Sequence, residues 1–505
     1  MTDEFKAMTW RAKRSSKMLK YLLSYLLVSC GLFTLGIADD TLSLKEVIVI
    51  AQERSLPAYR AKADQMQAQM AYRSFRADLL PQLGLNATIP NYTNSFFETV
   101  QPDGSITFQR ISYNNSSLGL QLSQRIPMTG GTIFVSSALQ RYDDFNQEIK
   151  SYNGNPLRVG IFQPISAYNR TRWQQRIAPV QLAEARKQYT YDMEAIGVQT
   201  IPFFFTLLLA QLDQQIAEAN FSGNQALYDI AEERFALGKI SENDLLQLKF
   251  ELINAEKASY EAAISVAAAQ VSLNNYLGRF GDPVPTYLLT PSEVEMSEVG
   301  MELALSEARI NRPEWESFQR RSLQAAEQVA QTRSENGFQA NLQASFGLAR
   351  SNAELNPIYL DPQQEQAVML TLNVPIFDWG KRKSEVKIAR LEQAYVQEAV
   401  QQEAETYLAN VRQLVSNYQQ LQQTISLGKD AQDIALKRFE ISKNRYVVGD
   451  ISVTDLAIAL LAKDQARRSY VFALRDYWRA YYQLRLLTLY DFENNQKLTY
   501  VAPQD

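Results

Sequence analysis

The sequence predicts an internally duplicated α+β fold in which β-strands are joined to very long helices. Three observations support this prediction: a glycine turn recurs at a fixed offset, several segments alternate apolar and polar residues, and two stretches of about 65 residues have a helical pattern. The 505 residues can form more than one structural region, and the net charge of −4 gives no indication of a nucleic-acid partner.

The recurring turn has the same pattern in both places. Gly238 and Gly449 each follow an aromatic residue by three positions and precede an aspartate by six. The two glycines are 211 residues apart, and Pro164 and Pro375 have the same separation. Because two registers at one offset are hard to obtain by chance, we expect two copies of one structural unit.

The two copies divide most of the chain between them. We place the first at 39–300, the second at 301–496 and a tail at 497–505. The first is expected to hold strands at about 82–165 and helices at about 42–80 and 166–278. The second is expected to hold strands at about 338–376 and helices at about 302–335 and 380–490.

The first 38 residues have the composition of an export signal. Six basic residues precede an apolar run from Tyr21 to about Ile37, and small residues end it. We therefore expect a signal peptide at 1–38. Two alternatives remain open: an uncleaved membrane anchor, and an amino terminus lipidated at Cys30, the only cysteine of the chain.

The composition excludes several kinds of catalytic site. The chain has no histidine and one cysteine, which excludes zinc sites of the His/Cys type and catalysis that needs a histidine base. No carboxylate motif indicates another chemistry. We therefore expect no enzyme, no catalytic residue, no cofactor and no metal site.

Several segments have one apolar side and one polar, uncharged side. Clear examples are the alternating apolar residues Leu83, Leu85, Ala87 and Ile89, and Val368, Leu370, Leu372 and Val374. In an exported protein this pattern is typical of barrel strands of about ten residues, with lipid outside and water inside. A soluble β-sandwich with one wet face is the alternative.

A heptad pattern follows each glycine turn. Apolar or small residues recur at intervals of three and four from Leu245 to Tyr276, and again from Leu456 to Leu487 with one break at Lys463. Each of these rows of residues, a heptad seam, predicts that its helix packs as a hairpin against the long helix that precedes it. A helix of about 65 residues is on the order of 100 Å long, so we expect its other faces to find partner helices.

On these features the chain resembles the TolC-like outer-membrane channel-tunnel family over about 41–496. The sharpest matches are the two turns, Leu237-Gly238-Lys239-Ile240 before Asp244, and Val448-Gly449-Asp450-Ile451 before Asp455. Further matches are Leu79-Leu80-Pro81-Gln82-Leu83 and Val374-Pro375-Ile376-Phe377-Asp378-Trp379-Gly380.

The resemblance implies a homotrimer with one outer-membrane β-barrel in contact with lipid and one periplasmic α-helical coiled-coil barrel. It implies a passive exit duct for efflux or type I secretion. The eight turn residues, 237–240 and 448–451, would dock a periplasmic adaptor and an inner-membrane efflux or secretion pump. A periplasmic adaptor and a surface structural coiled coil are the alternative functions.

The resemblance also implies a periplasmic gate. In the family an aromatic residue and aspartates near the turns close the tunnel, and Tyr446, Asp244 and Asp455 match those positions. Helix capping is the alternative role of both aspartates. Where the family commonly has an arginine that helps to lock the tunnel, this chain has Ile451. An ion pair between Lys239 and Asp450, across the two turns, would substitute for that lock.

The first copy has 45 residues more than the second, from about 113 to 155, with two alternating segments joined by Pro127-Met128-Thr129-Gly130-Gly131. These residues either add two strands to each chain, which gives a trimer about 18 strands instead of the family's usual twelve, or lengthen an extracellular hairpin. We favour added strands.

Overall fold

The computed structural model describes residues 41–280, 286–291 and 299–500. The expected signal peptide, Cys30 and the last five residues of the tail lie outside them. The described chain falls into two compact units, one built mainly on Thr206–Asn275 and one built on Ile48–Phe205 and Glu293–Asp505.

The described residues contain helices and strands in the predicted α+β combination, which confirms the fold class. The helices are α1 (Leu44–Arg54), α2 (Leu56–Ala77), α3 (Arg170–Ala236), α4 (Glu242–Tyr276), α5 (Met301–Asn311), α6 (Pro313–Glu335), α7 (Asn356–Leu360), α8 (Lys381–Val448) and α9 (Val453–Thr488). The strands are β1 (Thr41–Leu42), β2 (Gln82–Thr88), β3 (Tyr92–Val100), β4 (Ile106–Arg125), β5 (Thr132–Asp144), β6 (Ile149–Ile165), β7 (Tyr287–Leu288), β8 (Gln339–Asn352), β9 (Gln363–Asn373), β10 (Tyr490–Asp491) and β11 (Gln496–Lys497).

Seven strands of the second unit form one antiparallel sheet in the order β2–β4–β5–β6–β8–β9, with β3 also paired to β4. The strands β2 and β3 follow one another along the same edge of β4, because β2 pairs with 117–123 and β3 with 106–114. The sheet therefore has six hydrogen-bonded columns. The 45 extra residues of the first copy lie within it, in β4, β5 and β6.

One face of the sheet exposes apolar side chains. Leu118, Leu120 and Leu122 on β4 are each more than 40% exposed, and between them stand Gly119 and Gln121 on the other face. A continuous exposed apolar face is rare in water and typical of a surface that contacts lipid. The alternation predicted from the sequence therefore defines the two faces of this sheet.

The helices α8 and α9 of the second unit pack together as a hairpin. Tyr418 and Tyr477 are buried at its centre, with their hydroxyl oxygens 2.9 Å apart. The predicted break in the heptad seam is accommodated, because Lys463 pairs with Asp464 at 3.2 Å and lies over the ring of Phe439. The stem of a lysine can pack in a seam when its charged head finds such partners.

The long helix α3 continues through two prolines, Pro179 and Pro202. Among the described residues, it is the one helix with a segment long and apolar enough to cross a membrane, and half of that segment is buried inside the protein. Phe204 and Phe205 are fully buried. These contacts fit the expectation of a helix packed against neighbours.

A buried ionic cluster joins α3, α9 and the carboxyl-terminal segment of the second unit. The guanidinium of Arg485 donates to Glu194 at 3.1 and 3.2 Å and to Asp491 at 3.4 Å. Tyr500 also donates to Glu194, and it accepts a hydrogen bond from Gln52 at 2.9 Å. Burial alone would lower the pKa of Arg485, but the charge of Glu194 raises it overall. Arg485 therefore keeps its positive charge, and its hydrogen bonds fix three segments to one another.

Replacing Glu194 by Gln should destabilise the second unit by about 3 kcal/mol, because Arg485 is then buried without its main counter-charge. Thermal unfolding in detergent, followed by circular dichroism, measures this as a lower Tm. The matched control is Asp64→Asn, which breaks the exposed Arg60–Asp64 pair on α2 and should leave Tm unchanged. Equal Tm values for Glu194→Gln and wild type would contradict this account of the cluster.

Candidate functional site: the two hairpin turns

Both hairpin turns have the same backbone geometry. After α3, the N–H of Gly238 donates to Phe235 O at 2.8 Å and that of Lys239 to Arg234 O at 2.9 Å. After α8, Gly449 and Asp450 make the equivalent bonds, each at 2.9 Å. This is the Schellman arrangement, which needs a left-handed residue at the first position after the helix. The glycines have φ values of +68° and +85°, which explains their recurrence.

The predicted gate aspartates are both helix caps in the structure. At the first turn, Asp244 N donates to the Ser241 hydroxyl at 3.2 Å, and the Asp244 carboxylate accepts from Ser241 N at 3.4 Å. At the second, Ser452 and Asp455 make the same two bonds, each at 3.2 Å. These are reciprocal capping boxes, which satisfy amide groups left free at a helix start.

The cap holds Asp455 in its charged form. Hydrogen bonds from the Ser452 side chain and backbone lower the pKa of Asp455 below its ordinary value. Its carboxylate is exposed near the tip of the hairpin. The same side chain can therefore cap α9 and present a negative charge to solvent, and the two roles predicted from the sequence are compatible.

Other predicted site residues have different surroundings. The Tyr446 side chain is buried within the second unit, so it does not present an exposed ring. Asp450 accepts from Arg445 Nε at 2.7 Å across its own turn, a pair that was not expected from the sequence. The predicted link from Lys239 joins residues of two separate units, and it stays a prediction.

The turns display aliphatic side chains at their tips. Leu237 is 73% exposed and Val448 is 77% exposed, and each directly precedes its glycine. Each turn therefore has one large, exposed apolar side chain at its tip. Within the described ranges, no group of three or more Cys, Asp or Glu side chains is placed to hold a metal ion.

Residues 304–488 match a family model described as outer membrane efflux protein. The fold is similar to that of the Campylobacter jejuni CmeC outer membrane channel, at 16% identity and a TM-score of 0.63, over 90% of this chain and 88% of that one. It is also similar to the Neisseria gonorrhoeae MtrE outer membrane channel, at 17% identity and a TM-score of 0.60, over 88% of each chain.

A third similar structure is the outer membrane protein VceC of Vibrio cholerae, at 17% identity and a TM-score of 0.59, over 88% of this chain and 95% of that one. No curated protein matches the sequence. The family model covers most of the second copy, and the likeness of fold extends to the first. The resemblance to the TolC-like outer-membrane channels is therefore confirmed, and the chain has the fold of that class.

The capping box gives a test that depends on pH. Since the folded-state pKa of Asp455 is lowered, its charged form stabilises the protein above the unfolded-state pKa of about 4. That contribution is lost as pH falls through the lower folded-state value. The Tm difference between wild type and Asp455→Asn should therefore be full at pH 6 and shrink below about pH 4.

The Ser452→Ala background is the control for this measurement, because it removes the hydroxyl that holds the carboxylate. There the effect of Asp455→Asn on Tm should be smaller at pH 6. The same large difference in both backgrounds would show that the charge of Asp455 acts through some other group.

Proposed function

We propose that the chain is the subunit of a homotrimeric outer-membrane channel that serves as a passive exit duct in tripartite efflux or type I secretion. The proposed role requires no catalytic step, because energy would come from an inner-membrane pump. The observation that carries the proposal is the large sheet, with an exposed apolar face and two unpaired edges, in a chain that also contains very long helices.

The sheet is incomplete as a membrane structure. Its outer columns are β2 with β3 on one side and β9 on the other, and within the described ranges each pairs with one neighbour only. In hydrocarbon an unpaired backbone N–H or C=O costs several kcal/mol, so spanning sheets close on themselves. Six columns leave little room for closure within one chain, whereas copies of the chain can close the sheet edge to edge.

The helices have exposed apolar faces as well. On α4 the exposed positions are Leu246, Ile253 and Tyr260, and on α8 they are Ile441, Ile434 and Leu427. All six side chains are between 54% and 69% exposed. Each set recurs every seven residues, the interval at which a helix contacts a neighbour in a coiled coil.

The two faces lie at matching positions along their helices. Counted from the turn glycines Gly238 and Gly449, both sets stand 8, 15 and 22 residues away. At 1.5 Å per residue, these are levels of about 12, 23 and 33 Å from each turn. We propose that α4 of one copy packs against α8 of the next, which would make a closed ring of helices around the duct.

Replacing Ile434 by Asp should prevent assembly, because a carboxylate buried between two helices has no partner. The wild type should run as a heat-modifiable trimer in detergent electrophoresis, and the variant as a monomer. The matched control is Lys443→Asp, nine residues along α8 and therefore on the opposite side of the helix. A stable Ile434→Asp trimer would contradict the proposed interface.

The turns would be the docking surface of the duct. Leu237 and Val448 supply the exposed apolar contact, and the left-handed glycines fix the tip geometry. We propose a periplasmic adaptor as the partner of this surface. In the assembled trimer, Asp244 and Asp455 would form rings of negative charge near the turns, which would attract cations.

Conductance of the purified protein in a planar bilayer tests the duct and its gate together. We expect discrete openings, and cations should block them at the periplasmic side. In Asp455→Asn the cap hydrogen bonds are kept while the charge is removed, so the block should weaken without loss of trimer. An inserted trimer that conducts in neither form would overturn the proposed function.

A further inference from the structure

We infer that three copies close a barrel of 18 strands, half again as many as the usual twelve of the family, and that its lumen admits correspondingly wider cargo. The inference rests on the proposed homotrimer. It is carried by the path of the 45 extra residues through the sheet, which decides between added strands and an extracellular hairpin.

The extra hairpin returns to the end of the sheet where the strands join helices. There β6 leads into α3 and β9 leads towards α8. The turn between β4 and β5 lies at that same end, because Asn169 Nδ2, just before α3, donates to Pro127 O at 2.9 Å. Gln163 Nε2, near the end of β6, donates to Thr129 O at 3.1 Å. An extracellular extension would place this turn at the opposite end.

The ladder register places one end of every column at this end of the sheet. Gln82, which begins β2, pairs with Ser123, and Arg125, which ends β4, pairs with Thr132. Gln339, which begins β8, pairs with Asn373 at the end of β9. Thr132, which begins β5, pairs with Phe162, and Phe162 pairs with Gln343, four residues into β8. The strand β4 therefore ends, and β5 begins, close to the level at which β8 begins and β9 ends.

The apolar band also crosses the added strands without interruption. One row of directly paired residues runs through Leu122, Val135, Val159 and Phe346, from β4 to β8. The next row contains Ile133, Ile161, Ala344 and Val368, from β5 to β9. The band reaches the sixth column as well, because Leu83 on β2 pairs with Leu122. Strands outside the membrane would need no such face, so the band indicates that all six columns contact lipid.

The opposite face is suited to a water-filled lumen. Arg158 reaches across Gly347 to Glu365, with a nitrogen–oxygen distance of 2.7 Å. A Cβ at Gly347 would lie 2.6 Å from the Leu157 carbonyl oxygen. The strand β8 therefore requires glycine where the Arg158 side chain passes over it. Asn155 also donates to Glu365 at 2.9 Å. These charges are paired, which leaves the lumen wall polar at this level without a net charge from them.

The strand number sets the width. With strands about 4.8 Å apart and tilted by about 40°, 18 strands give a backbone diameter of about 36 Å, against about 24 Å for twelve. Barrels of 16–18 strands leave an aqueous channel. After side chains are allowed for, the lumen would accept two α-helices side by side, each about 10 Å wide. Partly folded polypeptide is therefore a cargo class that the barrel would not exclude.

Polymer exclusion in the planar bilayer tests the width. Polyethylene glycols of increasing size are added on the extracellular side only, so that they probe the barrel before the periplasmic turns. The comparison is a deletion of Ile106–Asp144, which removes β4 and β5 and leaves four columns per chain. The exclusion radius of the wild type should be at least about 1.5 times that of the deletion.

A second measurement keeps the inference testable if the deletion fails to fold. Single-particle imaging of the wild-type trimer should show 18 strands in the membrane. Twelve strands, with the β4–β5 hairpin outside the barrel, would overturn the inference, and so would equal exclusion radii. A trimer that conducts but has the narrow lumen contradicts only the barrel width, whereas a wild type that neither conducts nor forms trimers contradicts the proposed duct.

Discussion

The backbone groups at the two edges of the sheet are the constraint on which the rest of the structure depends. An apolar sheet face requires a lipid environment, and lipid offers no hydrogen bonds to an unpaired edge. The edges formed by β2 with β3 and by β9 must therefore be covered. Copies of the same chain are the simplest cover, since the first edge of one copy can pair with the last edge of another.

The helices, which lie in water, also have a surface that a neighbouring copy would cover. The hairpin cores bury one seam of each helix, as Leu248 and Ala255 do on α4, but a second seam stays exposed. The exposed residues of α4 and α8 lie at equal distances from Gly238 and Gly449, because the two copies have equivalent glycine turns. Internal duplication thus gives one chain two different surfaces, sheet edge and helix face, that a neighbouring copy can complete at once.

Local signals made the repeated features predictable from sequence. Gly238 and Gly449 could be found because only glycine adopts a left-handed turn at little cost. The strands could be found because apolar and polar residues alternate along a strand that has one face in lipid. Helix capping could be named as an alternative role of both aspartates, because aspartate favours the first turn of a helix. The strand β3 was missed because the adjacent Phe96 and Phe97 break the alternation.

Contacts between distant segments left no such signal. Glu194 and Arg485 are 291 positions apart, and nothing near either residue predicts that the two meet in a buried pair. The Arg445–Asp450 pair was missed because it closes across the turn instead of along one helix face. For the extra residues, the sequence favoured added strands but did not exclude a longer extracellular hairpin, because alternation is the same for a strand in the membrane and for one above it.

Amide hydrogen exchange of the wild-type protein in detergent tests the closure of the sheet most directly. The account predicts that the amides of β2 and β9 are protected as strongly as those of the central strand β5, because each edge is paired with another copy. Fast exchange along the outer side of β9, in protein whose β5 stays protected, would contradict it.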